Sequence, residues 1–121
     1  MWDVRYTNAA TQELNQRAVP RQEKAAILNA VEKLRAPCPQ LPYPHQNAVQ
    51  GADGIRELRP RQGRSPWRAF YCRVDDTFII ASIGPEADVD ARGFTRAVEA
   101  AQQRCAEIEA KDEEGVAGHE I

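Results

Sequence analysis

An α+β fold, with a small antiparallel sheet carrying an N-terminal helical hairpin and a C-terminal helix in the order β-α-α-β-β-β-α, is what this 121-residue sequence predicts. Three features point to it. Apolar residues recur at helical spacing in Ile27, Ala30, Val31 and Leu34, and again in Phe94, Val98, Ala101, Cys105 and Ile108. Strand-like runs crowd together between positions 55 and 83. Short turn-forming segments, Arg61-Gln-Gly-Arg-Ser-Pro66 and Asp75-Asp76, divide those runs into antiparallel hairpins.

Taken in order, Trp2 to Tyr6 is a short strand with Trp2, Val4 and Tyr6 on one face. Thr7 or Asn8 caps a first helix running to about Arg17, with Ala10 and Leu14 on its apolar side. Pro20 suits the first position of a second helix, which Pro37 ends. From Pro37 to Gly54 the chain reads as a loop, long for a compact domain, so it either holds short local structure or is a surface that a partner covers. Three strands follow, Ile55 to Arg59, Trp67 to Val74 and Thr77 to Ile83, and the last, apolar on both faces, suits an interior place in the sheet. Gly84-Pro85 breaks it, and Asp88 or Asp90 caps the final helix. The domain is expected to span 1–110, with 111–121 an acidic, mobile tail.

Composition narrows the function classes. No apolar run approaches membrane-spanning length, and the N-terminus lacks a basic segment followed by an apolar one, so a cytoplasmic protein without a membrane partner is expected. Cys38, Cys72 and Cys105 have no C-x-x-C spacing; Cys72 and Cys105 read as core thiols rather than a disulfide framework. His45 and His119 have no ligand-like companions, which points away from a metal site.

Charge is the most informative feature. Between Ile55 and Val74 lie Arg56, Arg59, Arg61, Arg64, Arg68 and Arg73 with a single acid, Glu57, a local +5 in a chain of net −2. Focused positive charge attracts polyanions, guanidinium groups grip phosphate oxygens in bidentate fashion, and Trp67, Phe70 and Tyr71 interleave as stacking faces. The alternative is a set of solvated arginines on sheet edges and turns.

The run L-P-Y-P-H ending at His45, the G-I-R-E-L-R-P strand from Gly54 and the W-R-A-F-Y strand from Trp67 resemble the RelE/ParE superfamily of bacterial toxins, closest to its phage-derived, HigB-like branch. The resemblance covers roughly Trp2 to Ala110, with its specific part between Leu41 and Gly84. It implies the toxin of a type II toxin-antitoxin system, paired with a cognate antitoxin that is often a helix-turn-helix DNA-binding protein. Its activity would be ribosome-dependent mRNA cleavage, an endoribonuclease (mRNA interferase) reaction that arrests growth without metal or other cofactor. In that reaction the ribose 2′-OH attacks the adjacent phosphorus while basic groups stabilise the developing charge.

Carried over by position, Arg68 matches the strand arginine that contacts the scissile phosphate, and Arg59 lies near the family's basic site. Glu57, on the same strand face as Arg59, is either a general base or an ion-pair partner within the cluster. Arg61 and Arg64 fall in the hairpin turn, where they either touch ribosomal RNA or are solvated. Arg73, and Arg92 and Arg96 on the last helix, complete the expected RNA-binding set. Tyr71 has the opposite parity to Arg68 and reads as core. Alanine at position 68 is expected to abolish growth arrest and leave the fold intact. The sequence departs from the resemblance where relatives carry a basic or histidine-containing stretch, here Pro85 and Glu86, and where some carry a catalytic tyrosine, here Phe94. Two alternatives follow from those departures: a ParE-like inhibitor of gyrase without nuclease activity, or a catalytically decayed relative that binds antitoxin or RNA.

Overall fold

The computed structural model describes residues 3–35 and 41–118, with side chains described through Lys111. Trp2, Pro37, Cys38, His119 and the last two residues lie outside that set. The elements are β1 (Asp3–Tyr6), α1 (Asn8–Leu14), α2 (Arg21–Leu34), β2 (Gln46–Ala48), β3 (Arg56–Leu58), a 3-10 turn (Pro60–Gly63), β4 (Trp67–Val74), β5 (Thr77–Pro85) and α3 (Ala91–Gly118). The α+β class is as expected, with one more strand than the sequence suggested. α3 continues past Ala110.

The sheet order is β1-β5-β4-β3-β2. All pairs are antiparallel except β1 with β5, which run parallel from Asp3↔Thr77 to Tyr6↔Ile80. The expected all-antiparallel sheet is therefore corrected to a mixed one. Short connections impose direction on β3-β4-β5, but most of the chain intervenes between β1 and β5, so no turn constrains that pair. β5, apolar on both faces, takes the interior place expected of it.

β2 comes from the stretch read as a loop. Gln46-Asn-Ala48 has no apolar alternation, and it becomes a strand only by pairing with β3, from Gln46↔Leu58 to Ala48↔Arg56. Pro20 stands at the N-cap of α2, one position before the place expected. Thr7 caps α1, accepting from the Ala10 amide at 3.0 Å, and Asp90 caps α3 by accepting from the Gly93 amide at 2.9 Å.

Helices cover both faces of the sheet. Val4, Ala10, Leu14, Ile27, Val31, Leu58, Tyr71 and Ile80 form the core on the α1–α2 side; Phe70, Cys72, Ile79, Ala81, Val98, Ala101 and Cys105 form the one under α3. Between them the β4–β5 pairing jumps from Tyr71↔Ile80 to Phe70↔Ser82, so Ala81 has no opposite partner. This bulge turns Ala81 and Ser82 both toward α3, where the Ser82 hydroxyl donates to the Ala97 carbonyl at 2.6 Å. Gly84 is required beside it, since a Cβ there would lie 2.5 Å from the Ala97 Cβ.

β5 outruns β1, and side chains cover the exposed edge that results. Glu13 on α1 accepts from the Ile83 amide at 3.0 Å, while Arg104 on α3 donates to the Ala81 carbonyl at 2.8 Å. The two side chains also grip each other, at 3.1 and 2.9 Å. Nothing in the sequence pattern pairs residues 91 positions apart.

Cys72 on β4 and Cys105 on α3 are joined in a disulfide, which corrects the reading of both as free core thiols. The apolar positions that bury each one place them opposite each other between sheet and helix, 33 residues apart in sequence. Spacing alone could not show this.

Tyr71 is 3% exposed and meets Phe78 edge-on at 5.7 Å, as its parity predicted. Burial pushes its hydroxyl up to about 12. A tyrosine in the unfolded chain titrates near ~10, so between those values the unfolded state sheds a proton that the folded state keeps. Stability should fall across that window, by at most about 1.4 kcal/mol per pH unit. Urea midpoints measured from pH 9 to 12 should fall less steeply in Tyr71→Phe; equal slopes would contradict this assignment.

Candidate functional site

The cluster that the two strand motifs build lies on the α3 side of the sheet. Glu57 and Arg68 come from adjacent antiparallel strands, on the face opposite Leu58 and Ala69, and Arg59 follows directly after β3. The Glu57 Oε1 atom accepts from Arg68 Nε at 2.9 Å and from Arg59 Nη1 at 3.4 Å. Glu57 thus makes the contacts of an ion-pair partner, one of the two roles open to it from sequence.

Arg68 is 2% exposed. Besides Glu57 it donates to the Ser65 carbonyl at 2.6 Å, the Trp67 carbonyl at 3.0 Å and the Gly63 carbonyl at 3.5 Å. Its Nη2 atom also reaches Glu86 Oε2 at 2.7 Å. These contacts use all the donors a guanidinium has. A residue expected to present itself to phosphate is held inside the protein between two carboxylates.

Arg59 donates through Nε to the Pro44 carbonyl at 3.1 Å and lies over the Tyr43 ring, 5.3 Å from its centroid. Tyr43 is 67% exposed, one of the few large apolar side chains on the surface. Gly63, with φ 95°, lets the 3-10 turn close onto this group, since a Cβ there would sit 2.5 Å from Arg59 Nη2. Arg61 and Gln62 in the same turn also have positive φ, 54° and 59°, a conformation that side-chain-bearing residues adopt at a cost.

Glu23 of α2 anchors that turn. It accepts from Arg61 Nη1 at 2.7 Å and from the Ser65 hydroxyl at 2.7 Å. The Arg61 hydrogen bond first, and the Ser65 one second, hold its carboxyl below the usual carboxylate range.

The remaining arginines are dispersed. Arg64 is exposed beside the turn. Arg56 is exposed and donates to Gln46 at 2.8 Å. Arg73 lies at the far end of β4, donating to the Asp75 carbonyl at 2.8 Å, about 17 Å of strand from Arg68. Arg92 and Arg96 are exposed on α3, and Arg96 lines a cleft with Trp67, Pro85 and Gly93. The single focused patch expected from the sequence is thus divided, with much of its charge spent internally on Glu23, Glu57 and Glu86. Phe94 packs edge-on against Phe70 at 5.3 Å and belongs to the core.

Sequence reasoning missed Glu23, Glu86 and Tyr43 as neighbours of the cluster. Glu86 was visible only as an acid where a base was expected; no spacing links Glu23 or Tyr43 to the strand motifs.

Such a fold, with an arginine–carboxylate cluster at one end of a mixed sheet between helices, is a small α+β domain built around paired ions. The model of the family described as phage-derived protein Gp49-like (DUF891) matches residues 15–84, more than half of the chain. The chain belongs to that family. A solved structure of a mutant form of the E. coli toxin RelE in the free state is similar at 18% identity and a TM-score of 0.45, covering 81% of this chain and 95% of that one. No curated protein matches the sequence. Among the described residues no helix is long and apolar enough to cross a membrane.

Proposed function

We propose that this chain is the toxin of a type II toxin-antitoxin system, of the RelE-like, HigB-like kind, and acts as a ribosome-dependent mRNA endoribonuclease. The observation that carries the reading is the convergence of Arg59 and Arg68, from the E-L-R and W-R-A-F-Y motifs, on one carboxylate oxygen of Glu57. Membership of a phage-derived family supports it.

In this reading the two guanidinium groups stabilise charge on the phosphate oxygens as the 2′-oxygen bonds to phosphorus and the P–O5′ bond breaks, leaving a 2′,3′-cyclic phosphate and a 5′-hydroxyl, and need no metal to do so. Both arginines bond Oε1 of Glu57, so Oε2 is the atom that takes the 2′-OH proton. Arg64, Arg92 and Arg96 supply exposed charge toward RNA. The partners called for are mRNA on the ribosome and a cognate antitoxin, a helix-turn-helix DNA-binding protein.

Induced expression in cells lacking any antitoxin should arrest growth, and Arg59→Ala should relieve the arrest by at least tenfold in colony count. The neutralisation of Arg68 by two acids favours a second reading, a relative that binds without cleaving. Wild type that folds and expresses without arrest would support that second reading and contradict the first.

A further inference from the structure

We propose that Glu86 is a built-in anion that holds the phosphate position on Arg68, and that an RNA phosphodiester displaces it. The inference rests on the nuclease reading above.

The two acids on Arg68 are not equivalent. Glu57 projects from a strand, its side chain is 13% exposed, and two guanidinium groups hold it. Glu86 follows β5 on the connection to α3, and its side chain is 27% exposed. Among the described residues its side chain has the one hydrogen bond to Arg68. Its backbone is fixed independently: its amide donates to the Pro66 carbonyl at 2.9 Å, and its carbonyl accepts from Val89 and Asp90. Side-chain rotation alone therefore frees the Arg68 Nη2 hydrogen that Glu86 holds, with no rearrangement of the loop.

Nε and Nη1 of Arg68 point to Glu57 and to the Ser65 and Trp67 carbonyls, and Nη2 has a second, longer contact of 3.5 Å to the Gly63 carbonyl. Nη2 toward Glu86 is the donor that leads outward. A carboxylate oxygen at 2.7 Å is a close geometric substitute for a phosphate oxygen. With Glu86 in place, Arg59, Arg68, Glu57 and Glu86 sum to zero; with it turned away the cluster carries one positive charge, matching one phosphodiester. The acid that departs from the family resemblance thereby gains a role as an autoinhibitory contact.

The test measures binding of a short single-stranded RNA with 2′-O-methyl linkages, which cannot be cleaved, to the purified full chain at low salt. Glu86→Gln preserves size and a hydrogen-bond acceptor, so the fold should persist. Affinity should rise about tenfold as a competing charge is removed from a charge-assisted pair. Glu99→Gln, which removes an exposed acid from α3, should leave affinity unchanged, and adding Arg68→Lys to Glu86→Gln should cancel the gain. An unchanged affinity in Glu86→Gln, or equal gains in both single variants, would overturn the proposal. So would competition by inorganic phosphate as strong as by RNA phosphodiester of equal concentration, which would mark a site for free phosphate. If Glu86→Gln binds no tighter while wild type still arrests growth, the gate fails and the toxin reading stands; a tenfold gain without arrest has the reverse meaning.

Discussion

Arg68→Ala is expected to cost about 3–5 kcal/mol of folding stability, the range for removing one partner from a buried ion pair. The residue is 2% exposed, and its guanidinium bridges Glu57 on β3, Glu86 before α3, and the carbonyls of Gly63, Ser65 and Trp67. Alanine would leave two carboxylates facing a cavity with only Arg59 in reach, and would leave buried carbonyls unpaired. Urea denaturation followed by circular dichroism should show the loss directly. A change under about 1 kcal/mol would mean that water replaces the guanidinium without penalty. The sequence-based expectation that alanine at position 68 would silence the protein with its fold intact is revised accordingly. Loss of growth arrest in that variant would report folding as much as chemistry, and so Arg59→Ala, at a partly exposed side chain, is the better probe of function.

Phe70→Ala should be comparably damaging, at about 3–5 kcal/mol. Phe70 is fully buried on β4, touches Phe94 of α3 edge-on, and lies against the Gly84 backbone. Gly84 and Ala97 already hold sheet and helix in close approach beside the ring, so its removal opens a cavity that they cannot collapse to fill. Leucine should recover more than half of the loss, because most of the volume returns. If alanine and leucine lower the urea midpoint equally, ring-specific packing rather than volume is decisive.

Periodicity made most of the architecture legible. The stripes of α2 and α3, the alternation in β4 and the doubly apolar β5 are local patterns, and each element formed where its pattern lay. β2 was not legible, because Gln46-Asn-Ala48 is a strand only by virtue of the β3 edge it meets. The parallel β1–β5 pair was hidden for a similar reason: no turn joins those strands.

The candidate site was legible in part. Strand parity placed Glu57 with Arg59 and assigned Tyr71 to the core, and the cluster formed as those positions implied. What parity could not give was the state of Arg68. Its burial depends on Glu86, 18 residues later, and on the carbonyls of a strained turn that Glu23 anchors from α2. Likewise, part of the charge of the Ile55–Val74 segment is neutralised by Glu23 and Glu86, acids from two other places in the chain. A count of arginines in one segment therefore overstates the positive field its surface presents.

The proposed activity is growth arrest through cutting of translated mRNA by the Glu57–Arg59–Arg68 cluster. Mapping mRNA 5′ ends after brief induction tests it most directly. New 5′-hydroxyl ends inside translated frames, absent with Arg59→Ala and lost when ribosomes are kept off the message, are the predicted result. Growth arrest with intact transcripts, accompanied by filamentation and a DNA-damage response, would contradict it and point to gyrase.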